Sequence, residues 1–161
     1  MSDEVERKFL VEAALPPELL GDGQVLRQGY VAEEGDVEVR LRITDDAAVL
    51  TVKAGSGLRR TEVEAEIPSA SAEALWPSTE GRRIAKTRHR VELPVAPDGT
   101  APVAEVDIYS GELDGLRTVE VEFASESAAS AFVPPPWFGR ELTGDKAWSN
   151  ASLARRGRPA T

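Results

Sequence analysis

Charged residues in this chain recur at a spacing of two and are sorted by sign. Arg40-x-Arg42 and Lys86-x-Arg88 are basic, Glu105-x-Asp107 and Glu120-x-Glu122 are acidic, and Glu4-x-Glu6-x-Lys8 carries both signs. Residues i and i+2 of an extended strand share a face, so each set would line one wall. Guanidinium groups grip phosphate oxygens as a fork, and ammonium groups supply point charges. Carboxylates hold hard divalent cations, which prefer oxygen ligands. Like charges side by side on a sheet repel, but a polyanion bound with its cations would satisfy both sets within one cavity. For any one strand a plainer arrangement is commoner, with the charged face in water and the apolar face in the core. Sorting by sign across several strands is what favours the cavity.

The elements that must position these residues follow from the same alternation. Strands are expected at the N-terminus through Phe9-Leu10-Val11 and over residues 24–32, 37–43, 47–54, 60–67, 83–93, 103–109 and 118–123. Glu33-Glu34-Gly35-Asp36, Asp45-Asp46 and Gly55-Ser56-Gly57 read as turns. Short helices are expected after Pro16-Pro17, over 70–80 with an interruption at Pro77, from the N-cap Ser125 to the stop at Pro134-Pro135-Pro136, and over 145–154. Residues 155–161, with Arg155, Arg156 and Arg158, are expected to form a flexible tail. Many short strands with a few helices point to an α+β, mainly β, fold: an antiparallel sheet that is curved or closed into a barrel.

With 161 residues, 41% of them hydrophobic and 29% charged, the chain is expected to form one domain over 1–161 with a core of ordinary size. There is no cysteine, so disulfides, thiolate metal sites and a cysteine nucleophile are excluded, and a metal would be held by oxygen. A formal net charge of -9 disfavours nucleic acid and anionic membranes as partners. The first residues carry no apolar run of the secretory kind and no stretch is long enough to span a bilayer, so a cytoplasmic protein is expected.

Taken in order, Glu4-x-Glu6-x-Lys8, Arg40-x-Arg42, Lys53, Lys86-x-Arg88, Glu105-x-Asp107 and Glu120-x-Glu122 resemble the CYTH superfamily, the triphosphate tunnel metalloenzymes. Further stretches, Leu26-Arg27-Gln28-Gly29-Tyr30, Leu75-Trp76-Pro77, Thr79-Glu80-Gly81-Arg82-Arg83 and Pro134 through Gly139, look like the small bacterial branch that includes inorganic triphosphatases. The resemblance implies an eight-stranded antiparallel β-barrel forming a tunnel, with a few flanking helices. It implies a small-molecule triphosphate substrate, hydrolysed or cyclised with Mg²⁺ or Mn²⁺, and a monomer or homodimer. Lys8, Arg40, Arg42, Lys53, Lys86 and Arg88 would bind phosphate, and Glu4, Glu6, Glu105, Asp107, Glu120 and Glu122 would hold metal. Glu62 and Glu64 are further metal candidates, Asp145 and Lys146 resemble a C-terminal pair of the family, and Lys8 with Tyr30 matches its catalytic lysine–tyrosine pair.

Three other readings stay open. A class IV adenylate cyclase or a thiamine triphosphatase would share these motifs, a binding module would hold polyphosphate or nucleotide without turnover, and a structural barrel would present its charges to water. His89, the single histidine, alternates onto the face opposite Arg88, away from the expected tunnel. Trp76, Trp137 and Trp148 are expected in packing roles. Arg7, on the face opposite Glu6 and Lys8, is expected to be dispensable for catalysis.

Overall fold

A computed structural model describes residues 5–55 and 61–160. Glu4, Ser56, Gly57 and Arg60, expected in the first strand, a turn and the start of a strand, lie outside the described residues. The alternating segments form β1 (Val5–Leu10), β2 (Gly23–Glu34), β3 (Val37–Ile43), β4 (Ala48–Ala54), β5 (Thr61–Ile67), β6 (Arg83–Glu92), β7 (Val103–Ser110) and β8 (Arg117–Phe123). All pair antiparallel in one eight-stranded sheet of order β1-β8-β7-β6-β2-β3-β4-β5.

The expected eight strands are present, but among the described residues the sheet does not close, since no pairing joins β1 to β5. One physical reason lies at the β1 edge. Leu10 N–H donates to Arg140 O (2.8 Å), Gly139 N–H to Leu10 O (2.7 Å) and Leu142 N–H to Lys8 O (2.7 Å). Residues 139–142 therefore occupy the backbone groups that a neighbouring strand would use. Gly139 permits the approach, because a Cβ there would lie 2.6 Å from Leu10 O. Such cover also blunts an edge that would otherwise pair with another chain.

Alternation decides which side of the sheet each residue faces, and the apolar set packs outward beneath short helices. Against β1, β6, β7 and β8 lie α1 (Pro17–Leu20), α3 (Glu126–Ala131) and the Pro-rich segment after it. Phe9, Val106, Val119, Val121 and Phe138 are buried there, at about 1.5–3 kcal/mol for each large side chain. Arg7 shares this outer face, where its guanidinium pairs with Glu141 and donates to the carbonyls of Ala129 and Phe132, both at 3.0 Å. It ties the end of α3 to the sheet, as its parity opposite Lys8 requires.

The other half of the sheet is covered by α2 (Ser69–Leu75), whose Ala72 packs with Leu41 and Ala48. The helix expected over 70–80 is shorter than that, because Pro77 converts residues 76–79 to a 3₁₀ turn. Thr79 of this turn sits against β2 at Gly29, where a Cβ would lie 2.6 Å from the threonine side chain. A third core, with Tyr109, Leu142, Trp148 and Leu153, plugs one end of the sheet beneath α4 (Asn150–Arg156). Arg155 and Arg156 are thus helical rather than part of a tail, and Arg155 pairs with Glu33; Gly157, at φ 74°, ends the helix. Among the described residues no helix is long and apolar enough to cross a membrane.

Candidate active site

The inward faces of the strands enclose a cavity of about 470 Å³. Glu6 and Lys8 enter it from β1, Tyr30 from β2, Arg40 and Arg42 from β3, Lys53 from β4, Glu62 and Glu64 from β5, Arg88 from β6, Glu105 from β7, and Glu120 and Glu122 from β8. Asp145 and Lys146 reach it from the C-terminal segment. A second cavity of about 640 Å³ lies beyond Arg42, Arg88 and Glu105, which border both, and takes Arg90 into its wall. His89 points to the outer face against Gly23, as its parity predicts.

Two predicted residues do not line the cavity. Lys86 and Asp107 are both buried and meet beneath its floor, with Nζ 2.7 Å from Oδ2. Asp107 also accepts from Arg88 Nε (2.7 Å) and Nη2 (2.8 Å), and Arg88 reaches Glu105 with Nη1. Burial opposes the Asp107 charge, but Lys86 and Arg88 outweigh it and hold the carboxyl down at about 2. For Lys86 burial prevails and lowers the ammonium to about 8, because the support of Asp107 and Glu120 is countered by the charge of Arg88. The asymmetry has a simple source: two cations share one carboxylate. Asp107 is thereby committed to this pair of cations and not to the cavity, which departs from its expected place beside Glu105 as a metal ligand.

The opposite wall is held more loosely. Arg40 lies 3.9 Å from Glu64 and 3.4 Å from Thr51 Oγ1, and Lys53 lies 3.8 Å from Glu62. Arg40 Nε is buried and has no hydrogen-bond partner. Arg42 donates through Nε to Gln28 Oε1 at 3.2 Å, and its guanidinium pKa is lowered by burial and by the charges of Arg40 and Arg88. Buried guanidinium groups left in this condition suit an anionic ligand.

Acids gather on the wall formed by β7, β8 and β1. Glu6 stands opposite Glu122, and Glu105 opposite Glu120, in register. Facing carboxylates repel unless a cation is shared, and an all-oxygen donor set fits a hard divalent ion that keeps waters and substrate oxygens as its other ligands. Among the described residues no three such side chains form a ready cage, so the fit rests on the chemistry of the donors. The candidates for holding a cation are Glu6, Glu105, Glu120 and Glu122.

Lys8 donates to the carbonyl of Trp148 at 2.8 Å and lies 3.4 Å from Glu120. The Tyr30 hydroxyl accepts from Gln28 Nε2 at 2.8 Å, and burial pushes its phenol up to about 12. Asp145 accepts from Ala147 N–H at 3.1 Å and caps the turn that carries Lys146. The charge pattern missed Gln28, Thr51 and Asn150, which are uncharged; the last lines the cavity while its Oδ1 accepts from the Tyr109 hydroxyl at 2.8 Å. The signal that could have found Gln28 is its spacing of two from Tyr30, which puts both on one face of β2.

No protein-family model matches the chain. Whole-chain relatives do. An inorganic triphosphatase of Nitrosomonas europaea is 47% identical over 156 residues, covering 94% of this chain and 96% of the relative. The chain belongs to the inorganic triphosphatase family. This is the branch of the CYTH superfamily that its motifs resemble, and membership implies dependence on a divalent metal. A second member, the inorganic triphosphatase of Acetivibrio thermocellus, is 38% identical over 157 residues, covering 96% of this chain and 95% of the relative. Among solved structures, a crystal structure of an inorganic triphosphatase matches with a TM-score of 0.73 and 43% identity, over 99% of each chain. A putative adenylate cyclase of Bacillus halodurans, 16% identical with a TM-score of 0.50 over 79% of this chain and 83% of that one, shares the fold.

Proposed function

We propose that the protein is a divalent-metal-dependent hydrolase that removes the terminal phosphoryl group of a small triphosphate, inorganic tripolyphosphate above all, with Mg²⁺ or Mn²⁺ as the cation. The observation that carries this reading is the cavity itself. One wall presents Arg40, Arg42 and Lys53, and the facing wall presents Glu6, Glu105, Glu120 and Glu122. The names of the full-length relatives support the same substrate.

In this reading Arg40, Arg42, Lys53 and Lys8 bind the phosphoryl oxygens, and Arg88 braces the chain from the floor, itself fixed by Asp107 and Glu105. Lys86 acts from beneath, as a buried charge beside Arg88. Glu6, Glu105, Glu120 and Glu122, together with Glu4, hold the cations. Divalent ions bound there offset the phosphate charge and acidify the attacking water. Glu62 and Glu64 serve as counterions for Lys53 and Arg40, and give way when phosphate arrives. Lys146 adds a charge at the mouth.

The test is release of phosphate from tripolyphosphate by the purified protein with Mg²⁺ or Mn²⁺. Turnover should vanish with a chelator, return with either metal, and be lost in Lys8→Ala and Glu6→Gln. ATP should give no cyclic nucleotide. Absence of turnover by the wild-type protein over a panel of triphosphates and metals would sink the proposal.

A further inference from the structure

Gln28 is wholly buried between two groups of the site, and their chemistry dictates its orientation. Its side chain touches Arg42 Nε at 3.2 Å and the Tyr30 oxygen at 2.8 Å. A guanidinium can only donate. Gln28 must therefore turn its carbonyl oxygen to Arg42, which leaves its NH₂ for Tyr30. An amide NH₂ can also only donate, so the Tyr30 oxygen must accept. The ambiguity that usually attends a glutamine side chain is removed here, because a donor-only partner fixes one end.

A phenol hydrogen prefers the ring plane and has two such positions. With one approach to the oxygen taken by Gln28, the hydrogen takes the other. No other hydrogen bond holds this hydroxyl among the described residues, and Tyr30 lines the cavity. We propose that Gln28 is a positioning residue that makes Tyr30 a hydrogen-bond donor to an oxygen of the bound phosphate chain, so that the tyrosine stabilises charge and does not take a proton. This rests on the triphosphatase reading and reverses the proton-accepting role that a lysine–tyrosine pair would suggest. Burial, which keeps the phenol protonated, points the same way. The local sequence serves the arrangement. Gly29 faces outward and admits Thr79, so the strand is clamped between its two inward residues. Their register partners on β3 are Arg42 and Arg40.

Three single variants, one double variant and one spectroscopic readout test it. Tyr30→Phe should lower kcat by about 10²-fold, the usual loss for one donor to developing charge, with the shape of the pH profile unchanged. Gln28→Glu offers acceptors only, so Tyr30 would donate inward to it and away from the substrate. Its loss should equal that of Tyr30→Phe, and the double variant should be no worse than either. Gln28→Met, which leaves the phenol hydrogen free but unpinned, should lose less, by about tenfold, and guards against a folding defect in the glutamate variant. Additive losses in the double variant, or removal of the acidic limb of the pH profile by Tyr30→Phe, would overturn the proposal. NMR of the Gln28 side-chain NH₂ should show resonances that move in Tyr30→Phe, and their indifference would also overturn it. This last measurement needs no turnover, so an inactive wild-type protein would refute the triphosphatase reading while the hydrogen-bond direction was still decided.

Discussion

The two walls of the cavity use the same residue types in opposite ways. Behind the β6–β7 wall, beneath the cavity floor, Lys86 and Arg88 meet Asp107 at 2.7–2.8 Å, and the carboxylate is wholly buried. On the β3–β5 wall the ion pairs are 3.8–3.9 Å long, and β5 is exposed along nearly its whole length. Pairs this long, with Glu64 largely in water and Lys53 and Glu62 partly so, hold their acids weakly, so a phosphate chain can displace Glu62 and Glu64 at little cost. A buried pair is different, because losing one partner strands the other charge in a low dielectric. One wall is completed by folding and the other by ligand.

The contrast can be broken most severely at Asp107. Asp107→Ala should destabilise the protein by about 3–5 kcal/mol and abolish turnover, read by urea unfolding and phosphate release; a loss below about 1 kcal/mol would mean that the wall is not preassembled. Arg42 should behave in the opposite manner. Burial and two neighbouring arginines disfavour its charge, while its loss would leave the buried Gln28 Oε1 without a donor, so Arg42→Met should change stability by no more than about 1 kcal/mol, while kcat/KM for tripolyphosphate falls by about 10²-fold or more. Stability lost in parallel with activity would contradict this.

Acid sharpens the same comparison. The Asp107 carboxyl is held at about 2 against an ordinary 3.8. A depressed carboxyl contributes fully above its unfolded value, and that contribution disappears as pH falls from about 4 toward 2. Over that window the wild-type protein should lose about 2 kcal/mol more than Asp107→Asn, measured by denaturant titration at each pH; parallel curves would show that the pairing adds nothing. The smallest effect belongs to the loose wall. Glu64→Gln should change stability by no more than about 0.5 kcal/mol and should lower KM slightly by freeing Arg40. An inactive Glu64→Gln would instead place Glu64 among the metal ligands.

Strand parity was legible wherever charge alternated strictly. Arg40, Arg42, Glu120 and Glu122 face the cavity as their spacing required, and His89 and Arg7 face away. Depth was not legible, since period two separates faces without saying how far a side chain reaches. Lys86 and Asp107 have the inward parity, yet they neutralise each other beneath the floor. Closure was not legible either, because the backbone groups on the β1 edge are taken by residues more than a hundred positions away, whose Pro-rich approach reads only as the end of a helix. Gln28 carries no charge and works by donor and acceptor geometry, so alternation of charge does not mark it.

The pairing of β1 has a consequence for synthesis. Its partners are residues 118–123 of β8 and residues 139–142, so this strand is made more than a hundred residues before the segments it pairs with. Until then it waits as a bare edge beside nascent hairpins that already have theirs. Glu6, Arg7 and Lys8 place three consecutive charges in that waiting segment, and charges in an unpaired strand discourage pairing with another chain. Glu6 and Lys8, which face the cavity in the finished fold, are thus also suited to keep their own strand from a wrong partner until its neighbours arrive.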